Sequence, residues 1–416
     1  MFIFQHIADY AAYFEDPPPL ALAAVNAHAR ECGERRREGL LGCCITTGAS
    51  QVYRTFRMNA THVERLECAR WWLERQCDYP LYILVKFDGT KSFMQIPALN
   101  AISQQLLERK VDHTLELNIR NLKSILPFAV LLRQSRDIRL YECRLKDLEV
   151  MKGLGRLRTV ELSSVRDIIH LDPLASCPNL TSIHILYCAD VVSAERLGQL
   201  QQLREVVIWS CANRSIDFLK GCAMLESIDV SGCTKLTSLD ALKGLQKVRK
   251  LDAHYSGIRR LGDLTGCVSL RTVDVSGCVE LNSLDGLSGL HQLRTLNANH
   301  SGIANIQGLT GCVSLETVDV SGCARLNSLD GLSCLMELRT LNARKSGIER
   351  IGDLTGCVAL ASVDVSRCRT LTSLNGLSGL PNLRMLDVSG TGVPRDERPE
   401  GCPALRSVQF GDLQFY

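Results

Sequence analysis

Hydrophobic residues recur in a short pattern along residues 111–416, with one copy every 22 or 23 residues. In the segment 291–310 the pattern reads Leu293-x-x-Leu296-x-Ala298. Apolar residues that alternate with polar ones in this way predict a short strand with one face directed inward. Because a single coil cannot bury that face alone, neighbouring coils must stack against one another. The pattern therefore predicts about thirteen stacked coils that share one parallel sheet.

Glycine and cysteine recur at a longer spacing of 45 residues, which is the length of two coils. A Gly-Cys dipeptide begins one half of each such unit, and a second cysteine column follows the strand. The glycines of the dipeptide are Gly221, Gly266, Gly311, Gly356 and Gly401, and the second column consists of Cys143, Cys188, Cys233, Cys278, Cys323 and Cys368. Small, weakly hydrogen-bonding side chains suit a buried turn. We therefore expect these thiols to be structural core residues rather than disulfide partners or metal ligands.

The full pattern, L-x-x-L-x-L-x-x-(N/C/S)-x-(x)-L, resembles the leucine-rich repeat family. It is most similar to the short 22–23-residue subclass with cysteine in the turn column, as in kinetoplastid arrays. The resemblance implies an α/β fold, a leucine-rich-repeat solenoid whose curved parallel sheet contains about thirteen repeats. We place the solenoid at residues 111–416 and a small α+β N-terminal domain at residues 1–110. Within the N-terminal domain, the apolar segments 81–87 and 90–96 flank Asp88-Gly89, which predicts a β-hairpin.

The segment 7–30 resembles an F-box, the motif that binds the Skp1 adaptor of ubiquitin ligases. It has apolar residues at helical spacing, a proline turn and a second apolar helix. The resemblance implies that the adaptor-binding residues are Ile7, Tyr10, Pro17, Leu20, Leu22 and Val25. The motif commonly has an aromatic residue where this chain has Ala29. A helical hairpin that only caps the open apolar end of the solenoid fits the same residues, so both interpretations stay open.

Two positions just after each strand vary in an otherwise monotonous array. In one half of the 45-residue unit they repeat Ser-Gly, as in Ser276-Gly277, whereas in the other half they differ each time. Variable side chains at one equivalent surface position suit partner recognition, and aromatic ones suit a binding anchor. Drift in a duplicated array gives the same pattern and stays open as the alternative. The predicted partner-binding residues on the concave face are Tyr187, Trp209, His254, Tyr255, Asn299, His300, Arg344 and Lys345.

An aspartate or asparagine occupies the middle polar position of successive strands on the same face. This column consists of Asp229, Asp252, Asp274, Asn297, Asp319, Asn342, Asp364 and Asp387. Like charges at strand spacing repel one another, and the preceding arginine column, which includes Arg249, Arg271 and Arg294, offers compensating partners. The columns predict either self-compensated ladders or an extended polar docking surface.

Composition and the absence of known motifs exclude several classes of function. The chain has 416 residues, of which 45% are hydrophobic and 22% charged, and its net charge is +3. This near-neutral charge does not favour nucleic acid as a partner, and no apolar run reaches the about 20 residues of a membrane span. The sequence contains no phosphate-binding loop, zinc-ligand motif or nucleophile motif. We therefore expect no enzyme activity, no metal and no cofactor.

These features together predict a non-catalytic scaffold that binds a protein partner on its concave face within a multi-subunit complex. The alternative is an F-box-type substrate adaptor of a Skp1-containing ubiquitin ligase. Many unpaired cysteines and an N-terminus unlike a secretory leader indicate a reducing, cytoplasmic location.

Overall fold

The computed structural model describes residues 44–48, 51–59, 81–89, 100, 101, 104, 108, 113–189 and 195–411. The chain forms two compact units, Met1–His184 and Ile185–Tyr416. The F-box-like segment 7–30 lies outside the described residues, so its two interpretations remain predictions.

The first unit is built on a mostly parallel sheet. Its described strands are β1 (Cys44–Gly48), β2 (Gln51–Asn59), β3 (Leu81–Asp88), β4 (His113–Arg120), β5 (Ser135–Tyr141) and β6 (Thr159–Ser163). Strand β1 pairs antiparallel with β2, and every pairing from β2 to β6 is parallel. A short helix, α1 (Ala129–Gln134), precedes β5. The predicted domain boundary at residue 110 falls between β3 and β4, which pair with each other.

The hairpin predicted around Asp88-Gly89 is wrong. Strand β3 has parallel neighbours on both edges, β2 and β4, so neither edge is open to an antiparallel return strand. Instead, the N–H of Gly89 donates to the carbonyl oxygen of Arg120 at 2.9 Å, and Nδ2 of Asn121 donates to Oδ1 of Asp88 at 3.1 Å. The Asp-Gly turn is thus hydrogen-bonded to the end of β4 and to the residue after it, and does not form the turn of a hairpin.

The second unit contains a regular series of short parallel strands. Strand β7 (Ser182–Leu186) ends in it, and β8 (Glu205–Trp209) follows. The other strands have three residues each: β9 (Ser227–Asp229), β10 (Lys250–Asp252), β11 (Thr272–Asp274), β12 (Thr295–Asn297), β13 (Thr317–Asp319), β14 (Thr340–Asn342), β15 (Ser362–Asp364), β16 (Met385–Asp387) and β17 (Ser407–Gln409). Fourteen strands, β4 to β17, thus lie in the region where about thirteen repeats were predicted.

Single 3₁₀ turns form the side of the coils opposite the strands. They span Leu126–Phe128, Glu149–Met151, Asp172–Ser176, Glu195–Gln199, Asp217–Leu219, Asp240–Leu242, Asp285–Leu287 and Gln307–Leu309. Each brings an apolar residue inward, such as Leu287, which is fully buried. Because 3₁₀ turns are short, they fit coils of only 22 or 23 residues.

The interior of the second unit consists of the predicted apolar columns. Val273 and Val275 of one coil and Leu296 and Ala298 of the next are all fully buried. The shared interior on which the repeat interpretation depends is therefore confirmed.

Two kinds of coil alternate within the 45-residue unit. Those containing β9, β11, β13 and β15 have cysteine at the buried turn position, and we call them cysteine coils. Those containing β10, β12, β14 and β16 have serine or threonine there, and we call them serine coils. The turn residues are Cys233, Cys278, Cys323 and Cys368 in the first kind and Ser256, Ser301, Ser346 and Thr391 in the second.

Buried thiols connect each cysteine coil to the preceding coil. The S–H of Cys278 donates to the carbonyl oxygen of Ala253 at 3.1 Å, and the S–H of Cys267 donates to that of Leu242 at 3.2 Å. The hydroxyl of Ser301 lies 3.5 Å from Sγ of Cys323. A weak donor at the end of a short side chain thus satisfies a backbone carbonyl that would otherwise be buried without a partner.

Candidate functional site

The candidate site is the polar face of the sheet in the second unit, which a leucine-rich-repeat solenoid places on its concave side. We call it the concave face. It comprises Tyr187, which follows β7, and the residues of β8–β17 and of the following turns that alternate with the inward-pointing ones. The parallel register sets equivalent residues side by side, with Asn297 between Asp274 and Asp319. Neighbouring members of a column are therefore about 5 Å apart.

The aspartate and asparagine column shapes the end of each strand. The N–H of Ser276 donates to Oδ1 of Asp274 at 2.9 Å, and the N–H of Asn299 donates to Oδ1 of Asn297 at 3.2 Å. A side-chain oxygen that accepts from the backbone two residues further on forms an Asx turn. The column therefore ends the strand and starts the turn that carries the variable residues.

Asparagine separates aspartates in the middle of this column. Nδ2 of Asn297 donates to Oδ2 of Asp274 at 2.9 Å, and Nδ2 of Asn342 donates to Oδ2 of Asp319 at 3.0 Å. An amide between two carboxylates replaces repulsion with a hydrogen bond to a charged acceptor. The column is thus self-compensated by amides and backbone N–H groups.

The predicted compensation by arginine is wrong for the residues that the structure describes. Arg294 pairs with Glu316 at 2.9 Å rather than with the column. Asp252, which replaces asparagine, instead has Nδ1 of His254 at 2.7 Å and Nζ of Lys250 at 3.8 Å. Groups on the same or the neighbouring strand lie closer to these carboxylates than the longer arginine side chains and form the contacts with them.

The second of the two positions after the strand has a left-handed backbone in each coil from β7 to β16. These residues are Tyr187, Ser210, Gly232, Tyr255, Gly277, His300, Gly322, Lys345, Arg367 and Gly390, with φ between 51° and 71°. Glycine adopts this conformation freely, whereas a residue with a side chain is destabilised by about 1 to 2 kcal/mol. Backbone hydrogen bonds maintain it, since the N–H of Tyr255 donates to the carbonyl oxygen of Ser276 at 2.8 Å.

Aromatic rings and glycines alternate along part of this left-handed column. A methyl group added to Gly277 would lie 2.5 Å from Cε1 of Tyr255, and one added to Gly322 would lie 2.7 Å from Cδ2 of His300. Each ring of a serine coil therefore covers the glycine of the next cysteine coil. Arg367 breaks the alternation, because it is a cysteine-coil residue with a long side chain where glycine is otherwise found.

Predicted aromatic residues form two separate pairs on the concave face. The rings of Tyr187 and Trp209 are 4.9 Å apart and tilted by 49°, and the side chains are 52% and 37% exposed. The rings of His254 and Tyr255 are 5.6 Å apart and nearly perpendicular, and Tyr255 is 67% exposed. One coil, with Gly232 in its turn, lies between the pairs. Tyr187, Trp209 and Tyr255 therefore do not form one aromatic cluster but belong to two ring pairs, separated by about 10 Å along the sheet.

The remaining predicted residues also lie on the concave face, further along the array. His300 and Lys345 are exposed at left-handed positions, while Asn299 and Arg344 are half-buried one residue earlier. The N–H of Arg344 donates to Oδ1 of Asn342 at 3.1 Å, which is the Asx turn of that coil.

Two exposed residues of this region are absent from the predicted set. Arg367 is exposed beside Lys345, and Met385, in β16, is 57% exposed on the same face. The signal for Arg367 was present in the sequence, since Ser366-Arg367 departs from the Ser-Gly of the other cysteine coils. No comparable periodic signal marks Met385.

The buried thiols are poor candidates for catalysis or metal binding. Burial raises the pKa of the thiols of Cys267, Cys312 and Cys357 to about 11 and that of Cys211 to about 12. A thiol with such a pKa stays protonated near neutral pH, whereas nucleophiles and metal ligands are thiolates. Within residues 113–189 and 195–411 and the shorter described ranges, no group of three or more His, Cys, Asp or Glu residues is placed to hold a metal ion.

The architecture of the chain is that of a leucine-rich-repeat solenoid. No protein-family model matches the sequence, and no curated protein does. The fold is similar to that of an internalin from Listeria monocytogenes, with a TM-score of 0.57 and 14% identity over 77% of this chain and 93% of the internalin. It is also similar to a leucine-rich-repeat protein of Leptospira interrogans, with a TM-score of 0.54 and 13% identity over 81% of this chain and 88% of the other.

At these identities the comparisons establish the fold alone. The short, cysteine-containing subclass stays a prediction. Within the described part of the chain, no helix has the length and apolar character needed to cross a bilayer.

Proposed function

We propose that the concave face of the second unit binds a protein partner and that the chain acts as a non-catalytic scaffold in a larger complex. The observation that carries this proposal is that three exposed residues with rings in their side chains occupy strained backbone positions. Tyr187, Tyr255 and His300 occupy left-handed positions where glycine would remove about 1 to 2 kcal/mol of strain each. Strain of this kind is typical of functional positions, and recognition accounts for residues that packing does not require.

The physical character of the face supports binding. The turns are held by backbone hydrogen bonds between coils, such as the N–H of His300 to the carbonyl oxygen of Ser321 at 2.7 Å. A rigid, preformed surface loses little conformational entropy when a partner docks. Exposed tryptophan and tyrosine supply the large apolar contacts that dominate binding energy at protein interfaces. Repeat solenoids in general offer extended surfaces of this kind.

Quantitative affinity purification tests the proposal. The tagged full chain is compared with a Trp209→Ala, Tyr255→Gly double variant and with Val279→Ser, which changes an exposed residue outside the concave face. We expect one set of proteins to be retained by the parent and by Val279→Ser and lost from the double variant. With the purified partner, the double variant should bind about tenfold or more weakly, with a melting temperature equal to or above that of the parent. Equal retention by all three chains would contradict the proposal and support drift.

The F-box-type adaptor remains a second, separate proposal, because its residues 7–30 lie outside the described part of the chain. The test is capture of purified Skp1 by the full chain and by Leu20→Asp and Val25→Asp variants. Specific capture that both substitutions abolish would favour the adaptor, whereas no capture by the parent would remove it.

A cytoplasmic, reducing location is also proposed. It is supported by the cysteines of residues 143–402, which are free thiols and mostly buried. Fluorescence microscopy of the tagged full chain tests it, and a secreted or vesicular signal would contradict it.

A further inference from the structure

Three cationic residues form a cluster on the concave face beyond the aromatic pairs. Arg344 and Lys345 follow β14, and Arg367 follows β15. The N–H of Lys345 donates to the carbonyl oxygen of Ser366 at 2.8 Å, which sets Lys345 and Arg367 at equivalent positions of neighbouring coils. We call these three residues the basic cluster. Lys345 and Arg367 are exposed and Arg344 is half-buried.

The basic cluster has no acidic partner among the residues that the structure describes. Other arginines of the same unit do, since Arg294 pairs with Glu316 and Arg350 pairs with Asp330. Asp364 is the nearest member of the acidic column along the chain, and its Oδ1 accepts from the N–H of Ser366 at 2.8 Å. The cluster is therefore a localised positive charge on a chain whose net charge is only +3.

The cluster is maintained against two destabilising effects. Lys345 and Arg367 both have a left-handed backbone, with φ of 56° and 61°, where glycine would be unstrained. They are also like charges on neighbouring coils, which repel each other. The other cysteine coils, and the next serine coil, avoid both effects with Gly232, Gly277, Gly322 and Gly390. A binding contribution from the two side chains would offset these costs.

We propose that the basic cluster binds an acidic, Asp- or Glu-containing segment of the protein partner. This inference rests on the proposed function, because it assigns the chemistry of part of the same partner. Arginine and lysine form their strongest hydrogen bonds with carboxylates, and an exposed cluster adds specificity and association rate through long-range attraction. The aromatic pairs and the basic cluster would then contact different parts of one partner.

The surroundings of the cluster favour an acidic protein segment over a nucleic acid. A nucleic acid presents an unbroken line of phosphates and is bound by basic residues along a stripe. Here the aspartate column, including Asp364 and Asp387, runs along the sheet beside the three cations. Those carboxylates would repel a continuous phosphate backbone, whereas a short acidic segment can contact the cluster alone.

The experiment measures binding of a fluorescein-labelled peptide of twelve alternating Glu and Ser residues to the full chain by anisotropy. The reference peptide has Gln in place of Glu. The variants are Lys345→Gly and Arg367→Gly, which give the backbone the residue that tolerates its conformation. The matched control is Arg325→Ser, which removes an exposed arginine outside the cluster.

We expect the parent chain to bind the Glu peptide at least tenfold more tightly than the Gln peptide at low salt, and to lose this preference at 0.5 M salt, where charges are screened. Each glycine variant should weaken Glu-peptide binding at least threefold without lowering the melting temperature, and Arg325→Ser should change it less than twofold. Equal binding by the parent and both glycine variants would overturn the inference. Tighter binding of a twelve-nucleotide DNA strand with the same residue dependence would overturn it in favour of a nucleic acid.

The outcome is separable from that of the proposed function. Partner capture that depends on Trp209 and Tyr255 but not on the basic cluster would overturn only the inference. Capture that depends on neither aromatic residue would overturn the proposed function, even where the acidic peptide binds.

Discussion

The two kinds of coil in the second unit have the same backbone but divide the tasks of the array. Cysteine coils place two thiols in the interior, such as Cys267 and Cys278, and mostly present a glycine at the left-handed position. Serine coils have a hydroxyl in the turn and present Tyr255, His300 or Lys345 at that position, except for the last one, which has Gly390. Both kinds of coil contribute apolar residues to the interior, but the buried thiols of these repeats lie in the cysteine coils and most of the surface variation lies in the serine coils. The variable positions can therefore change without any change in the coils that carry the buried thiols.

The largest effect expected from this difference is loss of stability at alkaline pH, through the thiols of the cysteine coils. The pKa of Cys267, Cys312 and Cys357 is raised to about 11 in the folded chain, because burial disfavours the thiolate. Their stabilisation is complete below the unfolded pKa of about 8.5 and is lost as the pH rises through 11. Together they should lower the free energy of unfolding by about 4 kcal/mol per pH unit in this window.

Urea unfolding between pH 7 and 11 measures the slope. A triple variant with serine at these three positions keeps a donor to the carbonyl but does not titrate, so its stability should fall less steeply. Parallel slopes for parent and variant would show that the thiols do not cause the alkaline loss.

A large effect is also expected where serine coils approach the preceding coil closely. A methyl group on Gly302 would overlap the carbonyl oxygen of Val279, which is backbone and cannot rotate away. We expect Gly302→Ala to lower the free energy of unfolding by about 3 kcal/mol. Val279 occupies the corresponding position of a cysteine coil and is exposed, so Val279→Ala should change stability by less than about 0.5 kcal/mol. Equal effects in thermal unfolding would mean that the two coils pack alike.

An intermediate effect should reveal the contact between a ring and the next glycine. Gly277→Ala adds a methyl group against Tyr255 at a left-handed position, and we expect a loss of about 2 to 3 kcal/mol. In a Tyr255→Gly background only the backbone strain remains, about 1 to 2 kcal/mol. Gly244→Ala is the matched control, since φ is 82° and nothing lies within 4 Å of the added methyl. Chemical unfolding of the two single variants and the double variant gives the coupling energy between positions 255 and 277. A coupling energy of zero would contradict the packing of the Tyr255 ring over Gly277.

The smallest effect is expected for the thiol of Cys334, whose modification should leave the stability of the chain unchanged. Cys334 is exposed in a serine coil, whereas Cys312 and Cys323 of the preceding cysteine coil are buried. At pH 8, iodoacetamide should modify Cys334 in the native chain while Cys312 and Cys323 react only after unfolding. Peptide mass spectrometry gives the modified positions. Rapid modification of Cys323 in the native chain would indicate that cysteine coils open more readily than their burial implies.

Periodic features of the sequence predicted the interior closely. The spacing of Val273, Leu296 and the cysteine columns is repeated many times, and each repetition adds independent support for the same inward positions. The strand bounds and the burial of these residues follow from that periodicity. The residues of the concave face could be located for the same reason.

Predictions that depended on a single local signal or on long side chains were wrong. Asp88-Gly89 favours a hairpin locally, but tertiary pairing of β3 with parallel strands on both edges outweighs the preference of two residues. Arginine compensation of the aspartates failed because Asn297 and backbone N–H groups are nearer. The left-handed backbone at Tyr255 was not predicted either, although the glycine at the same position of alternate coils was its signal.

The covering of Gly277 and Gly322 by the rings of Tyr255 and His300 has a consequence for how this part of the array can grow. Duplication or deletion of 45 residues there leaves each of these rings followed by a glycine, so the new junction packs like the old ones. A change of 22 or 23 residues would instead bring two side-chain-bearing positions into register, and two rigid rings cannot occupy the space of one. Gain or loss of coils in pairs is therefore favoured over gain or loss of a single coil. At Lys345 and Arg367 two residues with side chains do follow one another, which shows that flexible side chains tolerate the arrangement that rigid rings do not.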